Sequence, residues 1–443
     1  MSVDEQEFWE ARETLAYIHD YARAIRVAPW SLLSCVLARV STVTPTNIVI
    51  PPLTGDRPAS LNFDVGVVGN PGSGKGIAEA ASRTLIPDLR DAVVTQPASG
   101  EGLAAMFATR IQIPEDEGGS KGETRISCIA SRALLSIPEI GTLGGASKRQ
   151  GSTIIPALCS AWSGESLGAF NKAEANRLTI PEHAYRLSLI VGIQPAASSS
   201  IFDAIDVGLP QRFLWTSTLD ANAPTTPTAL PTGRFPFDTG KLPADPTMVT
   251  MSAIYESGTI RGSLNYKLVR MSFPQIAFNE ADAQRLNVLH GGSLAPLDSH
   301  LIQLKAKVAA LLVLMDGARL DVNEEDWQLA DTIMHRSCKV RDQCLDAMHA
   351  ARQDQKAEYI ADDNAAHEKA ETKKLESAKK STLSQLERHD PQREGIKGYD
   401  ISRMLGRNGK YAYPAIEELF TENKLDKLMD GGNTASSTWA LAC

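Results

Sequence analysis

The chain has no C-x-x-C pair, no apolar run near the ~20 residues needed to cross a bilayer, no excess of positive charge and no histidines at ligand spacing. Each absence removes a class. Six scattered cysteines (Cys35, Cys128, Cys159, Cys338, Cys344, Cys443) exclude a zinc knuckle and a disulfide scaffold and fit a reducing compartment. With 45 Lys+Arg against 53 Asp+Glu, the formal net charge of -8 argues against a protein that coats nucleic acid with its whole surface. It leaves room for local basic patches such as Lys148 and Arg149. The eight histidines, including His183 and His300, read as core or surface residues. The start, MSVDEQEFWEARETL, is acidic and amphipathic where a signal peptide is basic and then apolar, so a cytoplasmic protein without a membrane segment is expected. What is present is 443 residues, 43% of them hydrophobic, enough for two or three domains and a sizeable core.

Hydrophobic periodicity divides the chain. Residues 1–58 read as a helical region, with helices over FWEARETLAYIHDYARAI and PWSLLSCVLARVSTV, followed by an extended NIVIPP. Residues 59–254 change to short apolar runs between glycine loops and helices, LNFDVGVVG, RISCIASRALLSI, YRLSLIVGI and QRFLWTSTL, which is the pattern of an α/β sheet. A Pro- and Thr-rich stretch then forms a long loop. Residues 255–350 turn helical and are expected as a lid, with Leu301, Leu304, Val308, Leu312 and Met315 on one face. Residues 351–393 are polar and mixed in charge, a charged linker or helix. Residues 394–443 show helix, helix and β-hairpin, the order of a winged-helix domain.

The segment GNPGSGKG sits between an apolar strand and a helix, which is the setting of a phosphate-binding loop. Glycines let backbone N–H groups face phosphates, the helix N-terminus adds its dipole, and Lys75 neutralises charge. Gly69, Asn70, Pro71, Gly72, Ser73, Gly74, Lys75, Gly76 and Ile77 are therefore the candidate ATP-binding residues. The spacing G-x-x-x-x-G-K is complete, but Gly76 stands where Ser or Thr ordinarily ligates magnesium. A hydrolysing site also needs an acid at a neighbouring strand end. ALLSIPEIG supplies Glu139, preceded by Pro138 where an Asp is usual, so Mg2+ would be held mainly by phosphates, water and Glu139. The alternative is an exposed glutamate at a strand end. Gln194, ending RLSLIVGIQ, is placed to sense the γ-phosphate or position water. Arg212 in GLPQRFLW is placed to reach the nucleotide of an adjoining subunit, or to form a surface ion pair.

These residues carry a resemblance. PWSLLSCVLARV, SLNFDVGVVGNPGSGKG, SGEGLAAMF, IPEIGTLGGASKRQGSTIIPALCSAWSGESLG, HAYRLSLIVGIQP, GLPQRFLW and NEEDWQLA resemble the helicase or primase-helicase-like P-loop ATPases of actinobacterial phages, plasmids and integrative elements. The resemblance spans most of 30–338. It implies an AAA+/helicase-like α/β P-loop NTPase core akin to hexameric replicative helicases, with Glu139, Gln194 and Arg212 catalytic. Implied partners are single-stranded DNA in a central channel, further copies of the chain in a ring, and a primase-polymerase.

The stretch LGAFNKAEANRLTIPEHAY fits a channel-facing insert in which Lys172 and Arg177 grip backbone phosphates, or a solvated basic hairpin. In the C-terminal region Arg403, Arg407 and Lys410 are candidate DNA contacts, although Glu417 and Glu418 on the second helix make protein docking an equal reading. The expected function is an ATP-dependent DNA translocase or replicative helicase of a phage or mobile element. The alternative is a replication initiator or helicase loader that uses ATP as a switch. A nucleotide kinase is a third reading, disfavoured by the long helical additions.

Overall fold

The computed structural model describes residues 4–442 apart from 97–98, 118, 121, 170–177 and 261–264. It divides into two compact units, Met1–Ala350 and Ala351–Cys443.

The first unit is built on a five-stranded parallel sheet of β1 (Phe63–Val68), β2 (Val93–Thr95), β3 (Arg132–Ile137), β4 (Arg186–Ile193) and β5 (Phe213–Ser217). Its spatial order is β5-β1-β4-β3-β2. The register sets Ile190 beside both Val65 and Ser136, and Phe213 beside Asp64. Strands covered on both faces read as continuous apolar runs, and β1 and β4 are buried along their whole length. From β1 the chain travels to the edge at β2, returns through β3 to β4, and then passes over to β5 on the other side of β1. The connections leaving the neighbouring strands β1 and β4 run in opposite directions, so the winding reverses between them. In open parallel sheets such a reversal opens a crevice at the carboxyl ends of the strands, where ligands bind.

Helices α1 (Glu5–Glu10), α2 (Glu13–Ala24) and α3 (Pro29–Val43) precede the sheet. The sequence predicts one helix where α1 and α2 stand. The break is at Arg12, whose extended backbone (φ -143°, ψ 145°) lets its guanidinium reach Asp316 at 3.2 Å, Glu325 at 2.6 Å and Asp326 at 3.1 Å. Helix α3 has Pro at its first position, which suits the fixed proline φ, and packs on β1, β4 and β5. The helix Leu301–Met315, expected in a lid, lies instead in this core against α3. Its apolar residues encircle it rather than forming one stripe, so every residue from Leu304 to Met315 is buried. Regions 1–58, 59–254 and 255–350 thus share one compact unit. The extended NIVIPP forms a small separate sheet, Ile48–Ile50 pairing with Ala59–Ser60 and Val269–Arg270.

The helix Glu324–His389 begins in the first unit and ends in the second. In the second unit its residues Ala378 and Leu386 pack with Ile401, Ile416, Leu419 and Trp439. Helices Gly398–Met404 and Ala412–Thr421 accompany a three-stranded antiparallel sheet in which Thr438–Leu441 lies between Ile396–Lys397 and Leu425–Met429.

Candidate functional site

Strand β1 ends at Val68, and the chain turns through Gly69–Gly74 into α4 (Lys75–Leu85). Two glycines make the turn affordable for the backbone, Gly72 at φ +75° and Gly74 at φ +93°, in the left-handed region where a Cβ is strained. Gly69 is required by close approach, since a Cβ there would lie 2.2 Å from Ser73 Oγ and 2.3 Å from Thr218 Oγ1. Its N–H donates to the carbonyl of Ile193 at 2.9 Å, tying the loop to the end of β4. Within the loop, Ser73 N–H donates to Asn70 O. The amides of Gly72, Gly74, Lys75 and Gly76 have no acceptor among the described residues, which leaves a group of N–H donors at a helix N-terminus. Lys75 Nζ donates to the carbonyls of Gly69 (2.8 Å) and Asn70 (3.1 Å). Burial lowers the Lys75 pKa, and the charge of Glu139 opposes that shift.

Beside the loop, the carboxyl ends of β4 and β3 bring up the other two groups. Glu139 follows β3 after Pro138, at the N-cap position of the helix Ile140–Ser147, and Gln194 directly follows β4. Gln194 Nε2 donates to Glu139 Oε1 at 3.0 Å. Glu139 Oε2 has no partner among the described residues. The strand ends meet closely at Gly192, where a Cβ would lie 2.1 Å from Pro138 O and 3.5 Å from Lys75 Cδ. The result is a cleft of about 500 Å3 at the winding reversal, walled by the loop 71–77, Glu79, Pro138, Glu139 and Gly192. Ile77, taken as part of the loop site, also lines it and is 56% exposed.

The chemistry of the cleft suits a triphosphate. Amide donors and one lysine face a space flanked by a carboxylate held by a carboxamide. Oxygen atoms from Ser73, Glu79 and Glu139 are of the hard type that magnesium takes, and magnesium commonly binds through one or two carboxylates plus phosphates and water. Among the described residues no three His, Cys, Asp or Glu side chains gather to hold a metal unaided.

No family model matches this chain, and no curated protein does. Among solved structures it is similar to the SCCmec type IV Cch active helicase, at 9% identity and a TM-score of 0.25, covering 100% of this chain and 70% of that one. A likeness at that score says nothing of what this chain does.

Arg212 lies at the other end of the sheet. It immediately precedes β5, whose first residue, Phe213, is level with Asp64 near the start of β1. Its guanidinium sits 5.5 Å from the centre of the Trp162 ring and donates to Gly208 O, and Gly208, at φ +82°, leaves room for it. Around it is a buried polar cluster. Lys307 Nζ lies 3.5 Å from the Trp162 ring centre and donates to the carbonyls of Asn62 and Trp162. Neither carboxylate oxygen of Asp64 has a hydrogen-bond partner among the described residues. Burial pushes the Asp64 carboxyl up to about 7, against the opposing charges of Lys307 and Arg212, and pushes Lys307 well below the usual lysine range. His300, 5.6 Å from Trp162, is held down to about 4 by burial.

Lys172 and Arg177 lie outside the described residues; the strands flanking them, Leu167–Ala169 and Leu178–Ile180, pair antiparallel. Lys148 and Arg149 are exposed just beyond the helix that starts after Glu139. In the second unit Arg403, Arg407 and Lys410 are all exposed ahead of the helix Ala412–Thr421, Arg403 over Tyr399 and Lys410 over Tyr411. The acids of that helix are engaged: Lys379 pairs with Glu418 at 3.1 Å and with Glu422, and Thr434 donates to Glu417. Glu79, Ser136 and Asp64 were not singled out by sequence reading. Their one signal was polarity inside apolar patterns, in GIAEAAS, ALLSI and LNFDVGVV.

Proposed function

We propose that the chain is an ATP-hydrolysing DNA translocase of the replicative-helicase kind, serving a phage or mobile element. The observation that supports it is the meeting of Lys75, Glu139 and Gln194 at the ends of three adjacent parallel strands, beside four amides that have no acceptor among the described residues. In this reading the β- and γ-phosphates of ATP face the amides and Lys75. Magnesium, when bound, neutralises phosphate charge; Ser73, Glu79 and Glu139 are the side chains available to it. Gln194 fixes Glu139 through Oε1, leaving Oε2 to accept a proton from the water that attacks the γ-phosphorus as ADP leaves. Arg212, at the opposite end of its own sheet, serves the nucleotide of an adjoining subunit in a ring, taken as a hexamer. Lys172 and Arg177 grip single-stranded DNA in the central channel. The C-terminal unit acts as a winged helix, and because Glu417 and Glu418 are engaged by Thr434 and Lys379, Arg403, Arg407 and Lys410 are favoured as its DNA-facing charges. A primase-polymerase is the proposed partner enzyme.

A second reading is favoured by Gly76 and Pro138, which offer magnesium no side-chain oxygen: ATP then switches assembly of an initiator or loader without unwinding. ATP turnover with and without single-stranded DNA, measured together with mass in solution, separates the two. DNA-stimulated hydrolysis by a ring supports the translocase, and ATP-driven assembly without turnover supports the loader. Absence of ATP binding removes both.

A further inference from the structure

The usual protein oxygens for magnesium are missing at Gly76 and Pro138, yet the cleft holds a carboxylate one helical turn beyond Lys75. Glu79 lines the cleft with its side chain only 14% exposed, on the face of α4 that carries Lys75. A carboxylate turned toward the sheet costs desolvation that a small apolar residue would avoid. It is nonetheless held in place. Ser136 Oγ, from the carboxyl end of β3, donates to Glu79 Oε1 at 2.7 Å, and Arg83 reaches the same oxygen at 3.4 Å. Both contacts use Oε1, so Oε2 has no partner among the described residues.

Two carboxylates, Glu79 and Glu139, therefore share the cleft where the nucleotide reading puts a triphosphate. Left uncompensated, Glu79 repels the phosphates; with a cation between them, the repulsion becomes attraction. We propose that Glu79, through Oε2, holds the hydrated divalent cation that accompanies the nucleoside triphosphate, in place of the oxygens that Gly76 and Pro138 lack. Ser136 is its positioning residue. The proposal rests on the nucleotide reading of the loop, and it predicts a sign that a purely structural Ser136–Glu79–Arg83 clamp does not. Removing the charge weakens binding only when the cation is present.

The test uses the full chain and a fluorescent ATP analogue, titrated once in EDTA and once in saturating magnesium chloride. In the wild type, magnesium tightens binding. Glu79→Gln keeps an acceptor for Ser136 and loses the charge, so its affinity in EDTA stays equal or rises while the enhancement by magnesium falls about tenfold, the usual cost of losing a residue that supports a metal site. Ser136→Ala shifts the enhancement in the same direction by less. Gly76→Ser restores part of it in the Glu79→Gln background, since a Cβ at Gly76 meets nothing within 4 Å. A Glu79→Gln protein with the full magnesium enhancement overturns the proposal. So does one that loses affinity equally in both media, which marks a clamp. If the wild type binds the nucleotide in neither medium, the nucleotide reading itself fails, and with it this role for Glu79. Binding that magnesium does not change overturns the proposal alone.

Discussion

Replacing Asp64 with Asn removes a buried negative charge while keeping the shape of the side chain. Asp64 lies near the start of β1 with no hydrogen-bond donor to either oxygen among the described residues, and the charges of Lys307 and Arg212 oppose the effect of its burial. Burial outweighs both, so the folded carboxyl titrates at about 7 against an ordinary 3.8. Between those values the folded chain keeps a proton that the unfolded chain has released. Stability therefore falls as pH rises through this window and levels off above it. At 1.36 kcal/mol per pH unit, the whole window is worth about 4 kcal/mol, a large share of the roughly 5–15 kcal/mol that holds a protein folded. Lys307 works the other way, losing stability as pH falls, because burial lowers its folded pKa. Since it is present in both proteins, the difference between variant and wild type reports chiefly Asp64. Thermal unfolding by calorimetry at pH 8 should place Asp64→Asn about 5 °C above the wild type, given ~2 cal/mol/K of unfolding entropy per residue. At pH 5 the gap should shrink to less than half. A gap independent of pH, or a wild type more stable at pH 8, would show Asp64 ionised and held by Lys307 as an ion pair, and the reasoning would be wrong.

Three further outcomes are expected. Glu139→Gln should bind ATP with near-normal affinity and hydrolyse it at least a hundredfold more slowly, within the ~10²–10⁴ that a general base contributes; wild-type turnover in a phosphate-release assay would move the base elsewhere. Gly192→Ala should destabilise the first unit by roughly 1–3 kcal/mol and weaken ATP binding, because its Cβ would lie 2.1 Å from Pro138 O and part β4 from β3; unchanged denaturation and nucleotide titration would refute the contact. Arg212→Ala should bind ATP without hydrolysing it, and mixing it with Lys75→Ala should recover partial activity, as mixed interfaces unite an intact lysine with an intact arginine; a mixture that forms joint assemblies and stays inactive would confine Arg212 to its own chain.

Legibility from sequence followed distance along the chain. GNPGSGKG was readable because loop, lysine and helix start are contiguous, and the apolar runs of β1, β3 and β4 announced a sheet covered on both faces. The strand order was not readable, since nothing local says that β4 enters between β1 and β3. The break between α1 and α2 was hidden for the same reason: the groups that draw Arg12 out of helix, Asp316, Glu325 and Asp326, lie some three hundred residues away. A lid was inferred from one apolar face of Leu301–Met315, although its neighbours VAALLVLM already closed the circle. Glu79 could not be singled out from sequence because its partner, Ser136, lies on a strand 57 residues further on. Asp64 is a lone acid in the apolar run LNFDVGVV, but its surroundings could not be read there, because Lys307 and Trp162 come from distant elements.

The bond from Gly69 to Ile193 also sets an order on synthesis. A ribosome finishes β1 and its glycine loop long before it reaches β4, and at roughly 5–20 residues per second the interval is on the order of ten seconds. During that time the loop lacks the carbonyl that ties it down, and β3 has no β4 through which to join β1. Local pairing cannot shorten the wait, because the central contacts are all distant in sequence. Under the proposed nucleotide reading, the ligand's cleft stays incomplete in the nascent chain until β4 arrives. Insertion of β4 between β1 and β3, rather than formation of the loop, is the step that completes both the sheet and the cleft.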